Sequence, residues 1–141
     1  MAMLLVQPID VPGFEQVVVC RDRTAGYVGF LAVHSTALGR AVGGTRVYPY
    51  ASEEDALTDV LRLARGMSYK NAHAGLPMGG GKAVIMADPA RIDREALFTT
   101  HGRAVERMGG TLVTAEDMGT TTADMEFIAR ETTYVAGRAN G

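Results

Sequence analysis

Cysteine, long apolar runs and net charge are all scarce in this sequence, and each shortage excludes a class of protein. Cys20 is the only cysteine among 141 residues, which excludes an intrachain disulfide and a multi-cysteine zinc site. No stretch approaches the roughly 18 uncharged apolar residues that span a bilayer. Residues 1–10 lack the charged and apolar regions of a signal peptide. These absences predict a cytoplasmic protein without a membrane partner, in which Cys20 is a small buried hydrophobe.

The charges of the chain are nearly balanced. Fourteen Lys and Arg side chains stand against sixteen Asp and Glu, for a formal net charge of −2. This balance offers no electrostatic basis for binding nucleic acid or an anionic membrane. Hydrophobic residues make up 47% and charged residues 21%, a composition typical of a folded globular chain. At this length we expect one domain rather than two.

Glycine, in contrast, is abundant. The 17 glycines amount to about 12% of the chain against roughly 7% on average, and they cluster at Gly43–Gly44 and Gly79–Gly81. Because glycine loses more backbone entropy on folding than any other residue, such clusters indicate close approach of a backbone or a ligand. A phosphate loop does not fit, since Lys82 is followed by Ala83 and leads into a strand. The sequence also has no G-x-G-x-x-G segment.

Apolar patterning predicts strands in the first third of the chain and a helix after them. Residues 15–22 and 27–34 are rich in apolar and β-branched side chains, and 41–48 form a third predicted strand, interrupted by Gly43–Gly44. Ser52 opens a helix with acidic residues in its first turn, where they suit the helix dipole. Its apolar residues recur at the spacing of one helix face: Leu57, Val60, Leu61, Ala64 and Met67.

Helices and strands alternate in the rest of the chain. The pattern predicts short strands at 82–87 and 111–115, and helices at 93–108 and 121–130. Gly109–Gly110 marks the end of the first of these helices. This alternation predicts an α/β fold, a single three-layer domain with a mostly parallel sheet and a strand-rich N-terminal part.

The two lysines of the chain, Lys70 and Lys82, are the first candidates for chemistry. Lys70 lies near the end of the amphipathic helix, and Lys82 precedes an apolar run. A buried lysine loses its proton more readily, because desolvation disfavours the ammonium ion, and it can then act as a base. Two neighbouring lysines would lower each other's pKa, so that one holds an anion while the other transfers protons. A surface position is the alternative for each.

Acidic residues follow the strand predicted at 111–115. Glu116 and Asp117 come at its carboxyl end, where open α/β sheets place their sites. An acid there can pair with a lysine and relay protons, or it can cap the helix that follows. The three histidines show no metal-ligand spacing, and we assign no metal. His101 lies on an apolar helix stripe and is expected in the core, and His73 is expected in a loop.

Several longer segments together resemble the leucine, phenylalanine and valine dehydrogenases, within the glutamate dehydrogenase superfamily. The resemblance runs over about 14–137 and is carried by residues 38–46, 56–74, 75–85 and 115–120. It implies the N-terminal catalytic domain of those enzymes, and the reversible NAD-dependent oxidative deamination of an apolar L-amino acid to a 2-oxo acid and ammonia. It also implies a homo-oligomer. In that family NAD binds a C-terminal Rossmann domain, which these 141 residues are expected not to include.

The resemblance also implies roles for individual residues, and with it we expect that a substrate approaches both glycine clusters. Lys70 matches the lysine that binds the substrate carboxylate, aided by the backbone of Gly43 and Gly44. Lys82 matches the catalytic lysine that activates water, and Asp117 matches the proton-relay aspartate. The positions that line the apolar side-chain pocket match Val42, Met67 and Ala115.

Two hypotheses follow from these observations. In the first, residues 1–141 are the substrate-binding and catalytic domain of a dehydrogenase, excised, truncated or paired with a Rossmann domain on another chain, and inactive without that domain. In the second, the chain is a non-enzymatic truncated module that binds a small anion or self-assembles. The presence of two lysines together with Asp117 favours the first hypothesis.

Overall fold

A seven-stranded sheet with helices on both faces forms the framework of the chain. The structure is a computed structural model and describes residues 3–137. The strands within these residues are β1 (Leu5–Pro8), β2 (Gln16–Asp22), β3 (Tyr27–Ser35), β4 (Ala41–Val42), β5 (Thr45–Tyr48), β6 (Gly79–Met86) and β7 (Leu112–Val113). The helices are α1 (Glu53–His73), α2 (Arg94–Arg107) and α3 (Thr122–Ala129). None of these three helices is long and apolar enough to cross a membrane.

The sheet is mixed, with its strands in the order β1-β2-β3-β6-β4-β7 and with β5 also paired to β6. The first four strands of that order pair antiparallel. In contrast, β6 pairs parallel with β4 and β5, and β4 pairs parallel with β7. The prediction of a mostly parallel sheet is therefore wrong. A tight turn at Gly26, where φ is 64°, joins β2 to β3, and so short a connection permits only antiparallel pairing.

The strands differ from the predicted ones mainly at three places, one of which is β7, confined to Leu112–Val113 within the predicted 111–115. The edge strand β1 has no counterpart among the predicted strands, because its four residues are too few to show a pattern. The strand predicted at 82–87 begins three residues earlier, since Gly79–Gly81 are the first residues of β6. The strand predicted at 41–48 is present and is broken at Gly43–Gly44 into β4 and β5, as expected.

Glycine is disfavoured in strands, yet the start of β6 requires it. A Cβ added to Gly80 would lie 2.5 Å from the Cα of Ser68 in α1. A Cβ added to Gly81 would lie 2.5 Å from Cδ1 of Leu112 in β7. The protein's own atoms therefore account for the close approach that the triplet indicates, without the substrate that we expected there.

Each face of the sheet has its own hydrophobic core. On one face α1 packs Val60 against strand residues that include Val84. On the other face α2 and α3 contribute Phe98 and Ile128, which pack with Ile85 and its neighbours. The predicted three layers are confirmed, with the sheet as the middle layer.

All three predicted helices are present, and side-chain caps mark where they begin. Ser52 Oγ accepts a hydrogen bond from the Asp55 N–H at 3.0 Å at the start of α1. Asp93 caps α2 and Thr121 caps α3 in the same way, since the first N–H groups of a helix lack partners within it. Helix α1 extends to His73, so the expectation that this histidine lies in a loop is wrong.

Replacement of Gly80 by alanine should test the contact between α1 and β6. We expect Gly80→Ala to lower the free energy of unfolding by about 1–3 kcal/mol, because the added methyl group forces the two backbones apart. The matched control is Gly66→Ala in α1, where a Cβ would meet nothing within 4 Å. That control should raise the free energy of unfolding by about 0.5–1 kcal/mol. Urea denaturation measures both, and equal stability of Gly80→Ala and the natural protein would contradict the packing argument.

Candidate active site

The strand register places several candidate residues on the face of the sheet that α1 covers. Successive residues of a strand point to opposite faces, and residues paired in a parallel ladder share a face. Val84 packs in the α1 core, so Lys82, two residues before it in β6, points the same way. Arg46 of β5 pairs with Val84, and Val42 of β4 pairs with Gly80. Three adjacent strand segments thus direct side chains toward one helix.

Lys82 and Asp117 form a largely buried ion pair on this face. The Lys82 Nζ lies 3.3 Å from Oδ1 of Asp117, and the Lys82 side chain is only 7% exposed. The segment that carries Asp117 follows β7 and runs beside β5, where the Thr45 N–H donates to the Ala115 carbonyl at 2.7 Å. The prediction that an acid after this strand pairs with a lysine is confirmed.

A turn closed by Thr120 holds Asp117 in place. The Asp117 N–H donates to Thr120 Oγ1 at 2.8 Å, and this hydroxyl also lies 3.1 Å from the carbonyl oxygen of Thr45. The following helix α3 is capped by Thr121. The alternative in which Glu116 or Asp117 caps that helix is therefore wrong, and the Asp117 carboxylate is left for contacts within the site.

Burial and neighbouring charges tune both members of the ion pair. Burial has the largest effect on the pKa of Lys82 and lowers it. The Asp117 carboxylate raises this pKa, whereas the charges of Arg46 and Lys70 lower it further. Burial alone would raise the pKa of Asp117, but the hydrogen bond from Arg46 and the Lys82 charge outweigh burial and lower it. The site therefore holds an ionised carboxylate beside a lysine that releases its proton more readily than usual.

Lys70 lies in the last turn of α1, and its charge reaches Lys82. Its side chain is exposed and, among the described residues, makes no hydrogen bond or ion pair. The next residue, Asn71, is buried, and its Nδ2 donates to the Gly79 carbonyl at 2.8 Å, which fixes the end of α1 to the start of β6. Lys70 is thus a cation on a well-held backbone, available to an anion near Lys82.

The break between β4 and β5 lets two other segments approach closely. A Cβ at Gly43 would lie 2.6 Å from the carbonyl carbon of Gly81. A Cβ at Gly44 would lie 2.9 Å from the Cβ of Asp117. Both glycines are therefore required by packing. A side chain at Gly43 would collide with the backbone of β6, and one at Gly44 would collide with Asp117.

The three residues predicted to line an apolar pocket are all partly buried. Val42 belongs to β4, Met67 to α1, and Ala115 follows β7. Val113 pairs with Val42, so Ala115, two residues further along an extended segment, points to the same face of the sheet. The fold thus gathers these apolar side chains on the face that carries Lys82.

Sequence reasoning missed Arg46, which contacts Asp117 more closely than Lys82 does. The Arg46 Nε lies 2.7 Å from Asp117 Oδ2, and its Nη1 lies 3.5 Å from Asp59 Oδ2 in α1. The Tyr50 hydroxyl donates to the same Asp59 oxygen at 2.6 Å. One signal in the sequence could have indicated Arg46: it is a charged residue within a strand that was expected to be covered by a helix. A charge in such a position requires an opposite charge nearby.

On the other face of the sheet, buried hydroxyl groups satisfy both ring nitrogens of His101. Nδ1 lies 2.6 Å from the Tyr27 hydroxyl, and Nε2 lies 2.8 Å from Thr45 Oγ1, which also contacts Thr114 Oγ1 at 2.5 Å. Burial lowers the pKa of His101 to about 3, so the ring is neutral. The expected core histidine is confirmed. Within residues 3–137 no group of His, Cys, Asp and Glu side chains is arranged to hold a metal ion.

Comparison with known proteins connects this arrangement to a family. The family model described as the Glu/Leu/Phe/Val dehydrogenase dimerisation domain matches residues 14–134. The chain belongs to this family. The match includes every candidate residue named above, and it confirms the resemblance of the chain to the Glu/Leu/Phe/Val dehydrogenases.

Several dehydrogenases are closely similar to this chain. The valine dehydrogenase of Streptomyces virginiae is 58% identical over 130 residues, 92% of this chain and 36% of that protein. The leucine dehydrogenase of Geobacillus stearothermophilus is 51% identical over 135 residues, 96% of this chain and 37% of that protein. The crystal structure of L-tryptophan dehydrogenase from Nostoc punctiforme matches with a TM-score of 0.83 at 45% identity, over 87% of this chain and 37% of that one. The chain spans little more than a third of each relative.

Removal of the Asp117 charge should lower the pKa of Lys82 further. The carboxylate stabilises the ammonium ion, so Asp117→Asn leaves burial and the remaining cations unopposed. NMR titration of lysine labelled at Cε measures this pKa directly, and Lys70→Arg assigns the two lysine signals. Asp88→Asn, which alters a surface pair with Arg91, is the control and should leave the Lys82 titration unchanged. A rise of the Lys82 pKa in Asp117→Asn would contradict the ion pair.

His101 should make the protein less stable in acid. Its pKa is about 3 in the folded state and about 6.5 when unfolded, so between these values only the unfolded chain takes up the proton. The free energy of unfolding then falls as the pH drops below about 6.5, by up to about 1.4 kcal/mol per pH unit. Urea denaturation from about pH 7 to about pH 4.5 should show a shallower dependence in His101→Gln. His73→Gln, at the exposed end of α1, should keep the natural slope.

Proposed function

We propose that this chain is the substrate-binding and catalytic domain of an NAD-dependent dehydrogenase that oxidatively deaminates an apolar L-amino acid to a 2-oxo acid and ammonia. The observation that carries the proposal is the buried Lys82–Asp117 pair at 3.3 Å with the unpaired cation of Lys70 beside it. Membership of the Glu/Leu/Phe/Val dehydrogenase family supports the same reaction.

Lys70 has the properties of an anion holder. Its side chain is exposed and has no carboxylate partner among residues 3–137, so substrate binding does not have to break an existing ion pair. A lysine ammonium ion donates charge-assisted hydrogen bonds to a carboxylate. We assign the substrate α-carboxylate to Lys70, with the backbone at Gly43 and Gly44 beside it.

Lys82 and Asp117 have the properties of a proton-transfer pair. Burial lowers the pKa of Lys82, so the neutral amine forms more readily at physiological pH. In the proposed deamination Lys82 removes a proton from the water that adds to the iminium carbon of the oxidised substrate. Asp117, 3.3 Å away, relays that proton from Lys82 to the amino nitrogen. The C–N bond then breaks to release ammonia, and the hydroxyl proton passes to Lys82 as the carbonyl forms, so that no charge is left buried without a partner.

The apolar side chains of Val42, Met67 and Ala115 favour an aliphatic or aromatic substrate over a charged one. All three are partly buried, Met67 in α1 and the other two on the sheet face that α1 covers. The similarity to a valine dehydrogenase at 58% identity and to a leucine dehydrogenase at 51% identity supports an aliphatic amino acid.

The residues of this chain do not fit a nicotinamide cofactor. The sequence has no G-x-G-x-x-G segment, the fingerprint that holds a dinucleotide pyrophosphate at a helix N-terminus. We therefore assign NAD binding to a Rossmann domain outside these residues. The family description as a dimerisation domain supports self-association into a homo-oligomer, and we propose a cytoplasmic location.

Turnover and binding assays together test the proposal. Binding of the 2-oxo acids of valine, leucine and phenylalanine to this chain is measured by calorimetry. Formation of NADH is measured on the chain alone and on a fusion to the part of the Streptomyces virginiae valine dehydrogenase that this chain does not cover. We expect binding by the chain and turnover by the fusion.

Two lysine variants should separate binding from catalysis. Lys70→Ala should weaken 2-oxo acid binding about 10- to 100-fold, the loss of a hydrogen bond to a charged group. Lys82→Ala should lower kcat of the fusion by about 10²- to 10⁴-fold with a smaller effect on binding. Arg65→Ala, which removes an exposed cation of α1 that stacks on Tyr69, is the matched control and should behave as the natural chain. Absence of both binding and turnover would favour the non-enzymatic, self-assembling module.

A further inference from the structure

We propose that Arg46 is a positioning residue that fixes the orientation and the ionised state of the Asp117 carboxylate. The proposal rests on the function proposed above, in which Asp117 relays protons. The geometry of three ion pairs supports it. Arg46 and Lys82 both pair with the Asp117 carboxylate, and Asp59 pairs with Arg46 from the other side.

The two oxygens of the Asp117 carboxylate have different partners. Oδ2 lies 2.7 Å from Arg46 Nε, and Oδ1 lies 3.3 Å from Lys82 Nζ. A carboxylate with only one of these partners is free to rotate and exchange its oxygens. With both in place, Oδ1 stays directed at the lysine, and proton transfer between the two groups needs no reorientation.

The far side of the Arg46 guanidinium group is held by α1. Its Nη1 lies 3.5 Å from Asp59 Oδ2, and Asp59 is fixed in turn by the Tyr50 hydroxyl at 2.6 Å and by Arg62 at 2.7 Å. The Arg46 and Asp59 side chains are each 18% exposed, so solvent screens these contacts weakly. The planar arginine fork suits this bridging position between two carboxylates, whereas the single amine of lysine does not.

Arg46 also sets the charge balance of the site. The titratable groups around Asp117 are Lys82 on β6, Arg46 on β5, and Asp59 and Tyr50 behind Arg46, with Lys70 facing Lys82 from α1. Arg46 remains protonated throughout the working pH range. It therefore stabilises the Asp117 carboxylate and disfavours the Lys82 ammonium ion, and its removal should raise the pKa of both groups.

Carboxyl NMR titration of the full chain, labelled with ¹³C at aspartate, tests the inference without any need for turnover. The Asp117 signal is assigned by its loss in Asp117→Asn. In Arg46→Met, which keeps the length of the side chain, we expect the pKa of Asp117 to rise above that of the natural chain. In Arg46→Lys, which keeps the charge, the rise should be smaller. Arg65→Met is the matched control, since Arg65 is an exposed arginine of α1 that stacks on Tyr69; its Asp117 titration should equal the natural one.

The same variants in the dehydrogenase fusion give a second readout. Arg46→Met should lower kcat roughly 10- to 100-fold, the cost of a misplaced catalytic group, with KM changed much less. The acid limb of its pH profile should move to higher pH, because a higher pKa of Lys82 delays formation of the neutral amine. Arg46→Lys should recover part of kcat.

The outcomes separate this inference from the proposed function. An Asp117 titration in Arg46→Met that equals that of Arg65→Met would overturn the positioning role, whatever the activity. If Arg46→Met does not fold, the same comparison is made with Arg46→Gln and Arg46→Lys, and unchanged Asp117 titration in both overturns it. A natural fusion that binds no 2-oxo acid and forms no NADH overturns the proposed function, while the titration still decides the role of Arg46.

Discussion

The contacts between backbones at the two glycine clusters are the constraint on which the rest of the structure depends. The start of β6 has α1 against one side and β7 against the other, and no side chain fits at Gly80 or Gly81. The break at Gly43–Gly44 has the same cause, since β6 and the Asp117 segment occupy the space where side chains would be. Larger residues would move α1 away from the sheet, and Lys82 would then be exposed to water. The glycines therefore place the lysine in low-dielectric surroundings through packing between the protein's own segments.

Burial of Lys82 in turn determines the charges around it. A buried ammonium ion is costly unless an opposite charge compensates it, and Asp117 provides that charge. Arg46 then balances the acid, and Asp59 balances the arginine. Positive and negative side chains therefore alternate from β6 across β5 to α1. Each charge has an opposite charge beside it, which reduces the free-energy cost of burying it. The same alternation keeps an amine of lowered pKa next to a carboxylate that stays ionised.

Much of the fold could be predicted from local patterns, because the periodicity of α1 and the caps Ser52 and Asp93 report only on neighbouring residues. The direction in which β3 pairs with β6 could not be predicted, since this pairing joins residues about fifty positions apart and leaves no local trace. For the site, Lys82 and Asp117 were found from their flanks and from the family resemblance. Arg46 was missed because its partners Asp117 and Asp59 come from different elements, and an arginine in a strand resembles an ordinary surface charge.

The hydrogen bond from Asn71 to Gly79 bears on the entropy of ligand binding. It anchors the residue that follows Lys70 to the first residue of β6, so the end of α1 is already ordered before any anion arrives. An anion held by Lys70 has to restrict only the torsions of one side chain, at a cost of about 1.5–2 kcal/mol. A frayed helix end would add the cost of fixing backbone torsions, about 1–2 kcal/mol for each residue. One buried amide thus lets an exposed lysine bind with the entropy loss of a single side chain.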